Sequence, residues 1–135
     1  MLDQYTKDLV KELNIIPSSL SSTADGVQLE IAKSIKISLK ELHPGLFLQA
    51  FIAPLPTKQR ENILLHAMKA NFLGQGTGGH VIGLDATEQF LILSHLISYD
   101  VNYLNFKELI EEFVNYLCFW QTEVERIQKT ESGIF

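Results

Sequence analysis

The sequence predicts an α+β fold, an antiparallel sheet with helices on one side, in the order helix, three strands, helix, two strands, helix. Three observations predict it. Residues 27–31 (Val-Gln-Leu-Glu-Ile) and 35–39 (Ile-Lys-Ile-Ser-Leu) alternate apolar and polar positions, the period of a half-buried strand. Three other stretches repeat apolar residues every three or four positions, the period of a helix packed on one face. The strands follow one another through short connections, which suits antiparallel neighbours, and a helix interrupts them once. At 135 residues the chain is expected to be one domain, 1–135, large enough to bury a core without disulfide or metal.

The elements can be justified in order. Leu2, Tyr5, Leu9 and Leu13 recur at helical spacing, with Asp3, Lys7, Asp8, Lys11 and Glu12 on the other face. This is a helix of about three turns, stopped by Asn14 and Pro17. Residues 18–26 are small and polar and read as a loop. The two alternating strands form a hairpin through Ala32-Lys33-Ser34, and His43-Pro44-Gly45 is a turn. Residues 46–53 are apolar except Gln49, so this strand is expected to be covered on both faces, one cover coming from a partner. Pro54 and Pro56 end it, and Thr57 is the candidate N-cap of a second helix. Ile63, Leu64, Ala67, Met68, Asn71 and Phe72 give that helix its period.

A glycine run follows, Gly74-Gln-Gly-Thr-Gly-Gly79, which holds four of the eight glycines. Strands at 80–84 and 89–98 flank the turn Asp85-Ala86-Thr87-Glu88. Asn105-Phe106-Lys107-Glu108 is a capping-box signature. The last helix then steps through Phe106, Ile110, Phe113, Leu117, Trp120, Val124 and Ile127 for about six turns.

Composition narrows the function. The net charge is −5, and the basic residues (Lys33, Lys36, Lys40, Lys58, Arg60, Arg126, Lys129) are scattered, which disfavours nucleic acid as a partner. A mean hydropathy of +0.08 is high for a small domain and suggests that some apolar side chains face a partner. The single cysteine, Cys118, excludes an internal disulfide. The N-terminal sequence MLDQYTKDL lacks a secretory signal, and no apolar run approaches the ~20 residues of a membrane span. A cytoplasmic location is expected.

Nor do the motifs assemble a catalytic, cofactor or metal site. A phosphate loop needs glycines between a strand and a following helix, so that helix N-terminal amides face the phosphate. Here the glycines follow a helix and precede a strand, near the end of the helix dipole that repels anions. Gly74 stands where a helix C-cap glycine belongs, and Gly74, Gly78 and Gly79 read as a structural turn. His43, His66, His80 and His95 show no ligand spacing. Cys118 lies mid-helix beside Phe119 and Trp120, surroundings that keep a thiol protonated. Glu111 and Glu112 read as a solvated helix face.

This order of elements, with Ala70-Asn-Phe-Leu-Gly-Gln-Gly-Thr-Gly-Gly79 at its centre, resembles the class I chaperones of bacterial type III secretion, the CesT or Tir-chaperone family. The likeness runs over nearly the whole chain: a first amphipathic helix, three strands, Leu55-Pro56 before the second helix, a strand pair, and a last helix with a tryptophan near its middle. Asn71, Leu73, Gly74, Gly78, Gly79 and Trp120 stand where that pattern puts them. His80 directly after the Gly-Gly, and the uncharged Gln75 and Gly76, depart from it. The resemblance implies a non-enzymatic, cofactor-free cytoplasmic protein of a Gram-negative bacterium. It implies a homodimer, or a heterodimer with a sister chaperone, that holds the N-terminal region of a secreted effector extended and export-competent.

The two apolar sides of the second helix, together with the family pattern, place the expected dimer contact on Ile63, Ala67, Met68 and Phe72, joined by Val81 and Leu84. Strand alternation places the expected effector groove on Tyr5, Leu9, Val27, Leu29, Phe47 and Phe51. Two alternatives stand beside this reading. One is a binding protein that sequesters a regulator or transcription component and so couples secretion to gene expression. The other is a small thiol enzyme using Cys118 or His80.

Overall fold

The computed structural model describes residues 2–12, 20–23, 26–32, 35–72 and 79–129. The elements are α1 (Leu2–Glu12), β1 (Leu20–Thr23), β2 (Gly26–Ala32), β3 (Ile35–Leu42), β4 (Gly45–Pro54), α2 (Arg60–Asn71), β5 (Val81–Leu84), β6 (Phe90–Ile97) and α3 (Tyr103–Lys129). The hydrogen-bonded strand order is β1-β2-β3-β4-β6-β5, and each pair with a defined register is antiparallel. The expected α+β class and antiparallel sheet are found, with one strand more than expected. Residues 20–23, read as loop, form β1, which pairs Leu20 with Leu29 and Thr23 with Gly26. A four-residue Leu-Ser-Ser-Thr segment carries no alternation to read, and its backbone ladder with β2 makes it a strand.

Packing gathers the chain into two compact units. The first holds the described residues up to Ala50 together with His95–Glu112. The second holds Phe51–Ser94 and the described residues from Phe113 onward.

In the first unit, Val27 faces Leu39 and Leu29 faces Ile37 across the β2–β3 pair, and all four are buried. The intervening Gln28, Glu30, Lys36, Ser38 and Lys40 are exposed, as period-2 alternation requires. Helix α1 buries Leu2, Leu9 and Val10. Its buried Thr6 hydroxyl donates to the Leu2 carbonyl at 3.0 Å, the back-bond that lets a hydroxyl sit inside a helix. The Tyr5 hydroxyl donates to the Val101 carbonyl at 3.1 Å, and its ring lies 5.5 Å from Phe106. At the start of β4, Gly45 adopts φ 114, and a Cβ there would meet the Ile97 carbonyl oxygen at 1.9 Å, so the position demands glycine.

In the second unit, Ile63, Ala67 and Ala70 of α2, Ile82 of β5 and Leu91 and Leu93 of β6 are buried, as are Phe113, Leu117, Trp120, Val124 and Ile127 of α3. Every apolar position read from the period of the last helix is buried, Phe106 and Ile110 in the first unit included. A buried Leu, Ile or Phe contributes roughly 1.5–3 kcal/mol each, so this helix anchors both cores. The turn before β6 is built by Asp85. Its carboxylate accepts the amides of Gln89 and Phe90 at 2.9 and 3.0 Å and the Thr87 hydroxyl at 2.6 Å.

Both helix-start expectations shift. Helix α2 begins at Arg60 after Gln59, which has φ 61 and makes no side-chain cap bond, so Thr57 is not the N-cap. Helix α3 begins one turn earlier than expected: Asn102 Oδ1 accepts the Asn105 amide at 2.8 Å, which makes Asn102 the cap. Two asparagines three residues apart offer the same signal. The two faces of strand β4 differ in burial. Leu46, Leu48, Ala50 and Ile52 are buried, but Phe47 and Gln49 are only half-buried and Phe51 is exposed, so within the chain one face is covered and the other is open.

Candidate functional site

Helix α2 is apolar on two sides. Ile63, Ala67 and Ala70 point into the second unit's core. Leu65, Met68 and Phe72, spaced by three and four, form a second stripe that is 47, 69 and 65% exposed. The expected dimer residues therefore divide. Met68, Phe72, Val81 and Leu84 are exposed. Ile63 and Ala67 are core residues with no surface to offer, which corrects their placement. Leu65 was missed. Its signal was the Leu65-Met68-Phe72 spacing, masked because its neighbours Ile63 and Leu64 are apolar too.

The helix is tied to β5 by one side chain. Asn71 Nδ2 donates to the Ile82 carbonyl at 2.8 Å, and the Ile82 amide donates to Asn71 Oδ1 at 2.9 Å. The chain neighbours of this pair, Phe72 and Val81, are both exposed, so the clip brings an apolar helix end and an apolar strand end together. Of the expected turn glycines, Gly79 has φ 91, with open space around its Cβ position. Gly74 and Gly78 lie outside the described residues.

The expected effector groove divides in the same way. Leu9, Val27 and Leu29 are buried in the first unit, and they are corrected from groove to core. Tyr5 and Phe47 are half-buried and Phe51 is exposed. Over the outward side of the first unit's strands lies an open groove of about 590 Å³, lined by Gly26, Gln28, Ser38, Lys40, Phe47 and Gln49, among others. Lys40 faces Phe47 and Ser38 faces Gln49 across the β3–β4 pair, so the groove mixes an aromatic ring, amide and hydroxyl groups and one cation. Such a lining pairs with a peptide backbone as well as with apolar side chains. In the second unit, Phe51 stacks on Phe90 with ring centroids 5.1 Å apart and planes 12° apart, leaving a flat aromatic platform.

The other candidate residues are packed. His80 is buried against the rings of Phe113 and Tyr116, at 5.5 and 5.3 Å. Cys118 is half-buried in α3, more open than its sequence suggested, while its neighbour Trp120 is buried as expected. Among the described residues no group of three or more His, Cys, Asp or Glu side chains is placed to hold a metal ion, and no helix is long and apolar enough to cross a membrane.

The described residues thus leave apolar side chains exposed on α2 and β5 and at Phe51 of β4. Residues 4–121 match the Tir chaperone protein (CesT) family, and the chain belongs to that family. It is 28% identical over 127 residues to a Chlamydia pneumoniae protein that bears only a locus designation, covering 92% of this chain and 96% of that one. Its fold is similar to a chain of the HopA1–SchA chaperone–effector complex, with a TM-score of 0.62 at 16% identity, covering 87% of this chain and 94% of the other. It is also similar to a chain of the heterodimeric ExoU–SpcU complex from the type III secretion system of Pseudomonas aeruginosa. There the TM-score is 0.60 at 17% identity, with 96% of this chain and 98% of the other covered. At these identities the two likenesses are likenesses of fold.

Proposed function

We propose that this protein is a non-enzymatic, cytoplasmic chaperone of type III secretion that holds the N-terminal region of an effector extended and export-competent. The observation that carries the reading is the combination of family membership with exposed apolar surface. Among the described residues ten large apolar side chains are exposed, five of them, Leu65, Met68, Phe72, Val81 and Leu84, on or next to α2 and β5, and clustered apolar surface marks an interaction site. The two structural neighbours come from an effector complex and a type III secretion heterodimer, which supports a secretion substrate as the partner.

The surfaces divide the work. Leu65 and Met68 of α2 and Phe72 at its C-cap, with Val81 and Leu84 of β5, form the contact to a second copy or a sister chaperone. Tyr5 and Phe47 in the first unit and the Phe51–Phe90 platform in the second receive apolar side chains of the effector segment. Binding that buries such side chains on an open strand face keeps the segment from collapsing and needs no nucleotide. The test is mass spectrometry of what co-purifies with the tagged protein from its own host. A secreted protein held through its N-terminal region is the expected result. Recovery of transcription components alone would replace this reading with regulator sequestration.

A further inference from the structure

β5 stands last in the strand order, and a terminal strand exposes a row of backbone donors and acceptors that another strand can pair with. At Ile82 that row is already occupied. Its amide donates to Asn71 Oδ1 at 2.9 Å and its carbonyl accepts from Asn71 Nδ2 at 2.8 Å, so Ile82 turns both groups away from β6. One primary amide supplies the donor and the acceptor that a residue of a neighbouring antiparallel strand would supply. Helix α2 delivers this amide from its last residue, Asn71.

We infer that Asn71 is an edge plug, a one-residue substitute strand that closes β5 to pairing with a strand from a second copy of this chain. Association at this face then proceeds through the side chains of Leu65, Met68, Phe72 and Val81 and stops at a closed assembly. The assignment of this face to contact between copies rests on the function proposed above; the occupation of the Ile82 edge does not. β5 has four residues, so one plug at Ile82 interrupts the edge near its middle and leaves too few consecutive groups for a stable new ladder.

The experiment compares full-length wild type, Asn71→Leu and Asn71→Asp. It measures protection of the Ile82 amide in dilute protein by hydrogen exchange, and assembly mass against concentration by light scattering. In Asn71→Leu the Ile82 protection is expected to fall by about fivefold, the factor a single net hydrogen bond is worth, and the mass is expected to climb with concentration beyond that of wild type. Asn71→Asp behaves the same at neutral pH, because a carboxylate faces the Ile82 carbonyl with no proton to donate. It recovers as the carboxyl is protonated towards about pH 4 and donates and accepts like the amide it replaced. Asn71→Leu shows no such recovery. Unchanged Ile82 protection in Asn71→Leu, an assembly mass equal to wild type, or an Asp variant blind to acid would each overturn the plug. A wild type that stays monomeric removes the proposed contact between copies, yet the comparison of variant with wild type still decides the plug. Should Asn71→Leu not fold, the acid recovery of Asn71→Asp decides alone.

Discussion

The Tyr103 hydroxyl donates to Glu12 Oε2 at 2.5 Å, joining the last residue of α1 to the first of α3. The other carboxylate oxygen of Glu12 meets Lys107 Nζ at 2.5 Å. Glu12 is thus a fork between a phenol and an ammonium, and it fixes the exposed end of α1, whose other end is held by the Leu2 amide donating to Glu41 at 3.2 Å. The Lys107 hydrogen bond, with that of Tyr103 behind it, holds the Glu12 carboxyl below its ordinary 4.5. The hydrogen bond to Glu12, with desolvation second, pushes the Tyr103 hydroxyl from 10.0 up to about 12.

The pH dependence follows with opposite signs at the two ends. A lowered carboxyl contributes above its ordinary 4.5 and loses that contribution as pH falls below it. A raised phenol contributes below its ordinary 10.0 and loses that contribution as pH rises through about 12. The stability difference between wild type and Glu12→Gln, measured by denaturant unfolding, is therefore largest on the plateau between these limits and shrinks towards both. It is small at any pH and falls with added salt, because the pair is exposed. An ultraviolet titration of tyrosinate is expected to show one tyrosine ionising near 12, lost in Tyr103→Phe. A difference that grew on acidification would remove Glu12 from this role.

On α2, Met68→Glu and Phe72→Glu are expected to lower the assembly mass in light scattering while leaving the far-ultraviolet dichroism of the folded chain intact. Ile63→Ala, one turn away but 2% exposed, is expected to cost about 2–5 kcal/mol of folding stability as a core truncation and to act on assembly only through the fold. Equal masses for Met68→Glu and wild type would move the contact off this stripe.

For the partner, Phe47→Asp and Phe51→Asp are each expected to lose effector in a pulldown with little change in the unfolding midpoint. Leu29→Ala, fully buried, is expected to cost about 2–5 kcal/mol and to expose the chain to proteolysis. Losing the Phe51–Phe90 stack removes about 0.5–1.5 kcal/mol at most, less at an exposed site, so a binding defect in Phe51→Asp separates from a folding defect. Retention of every partner by both Phe variants would rule out the strand face.

What the sequence revealed tracks the strength of its periods. Helix α3 was legible because seven apolar residues at spacings of three and four admit a single phase, and all seven are buried. The β2–β3 pair was legible through strict alternation. β1 was not, since Leu20-Ser-Ser-Thr23 carries no alternation to read. The two-sided nature of α2 could be seen, but its phase could not. With Ile63, Leu64, Leu65, Ala67 and Met68 apolar, several rotations of the helix about its axis look equally good, and only packing selects Ile63 and Ala67 as inward and Leu65 and Met68 as outward. The same ambiguity put Leu9, Val27 and Leu29 in a groove. Alternation shows that a strand has two faces, and only packing decides which of them is core. Asn71 stood out in the sequence as a position of the family pattern, but nothing there named Ile82 as its partner, because the clip joins a helix end to an edge strand across the glycine run.

Gly45 and Gly83 both lie in strands, but only Gly83 has room for a side chain. Gly45 adopts φ 114, and an added Cβ would sit 1.9 Å from the Ile97 carbonyl oxygen and 3.2 Å from the Ser98 Cα. Both are backbone atoms, so no side-chain rotation relieves the clash, and the left-handed backbone adds strain of its own. Gly83 has nothing within 4 Å of its Cβ position. Gly45→Ala is therefore expected to destabilise the protein by at least about 3 kcal/mol and to shift the unfolding midpoint sharply. Gly83→Ala is expected to be neutral or slightly stabilising, because it restricts the unfolded chain at no steric cost. Denaturant unfolding of the two variants beside wild type reads the difference directly. Equal stabilities for the pair would mean that β4 can slide away from Ile97 without losing its register, which the burial of Leu46 and Leu48 argues against.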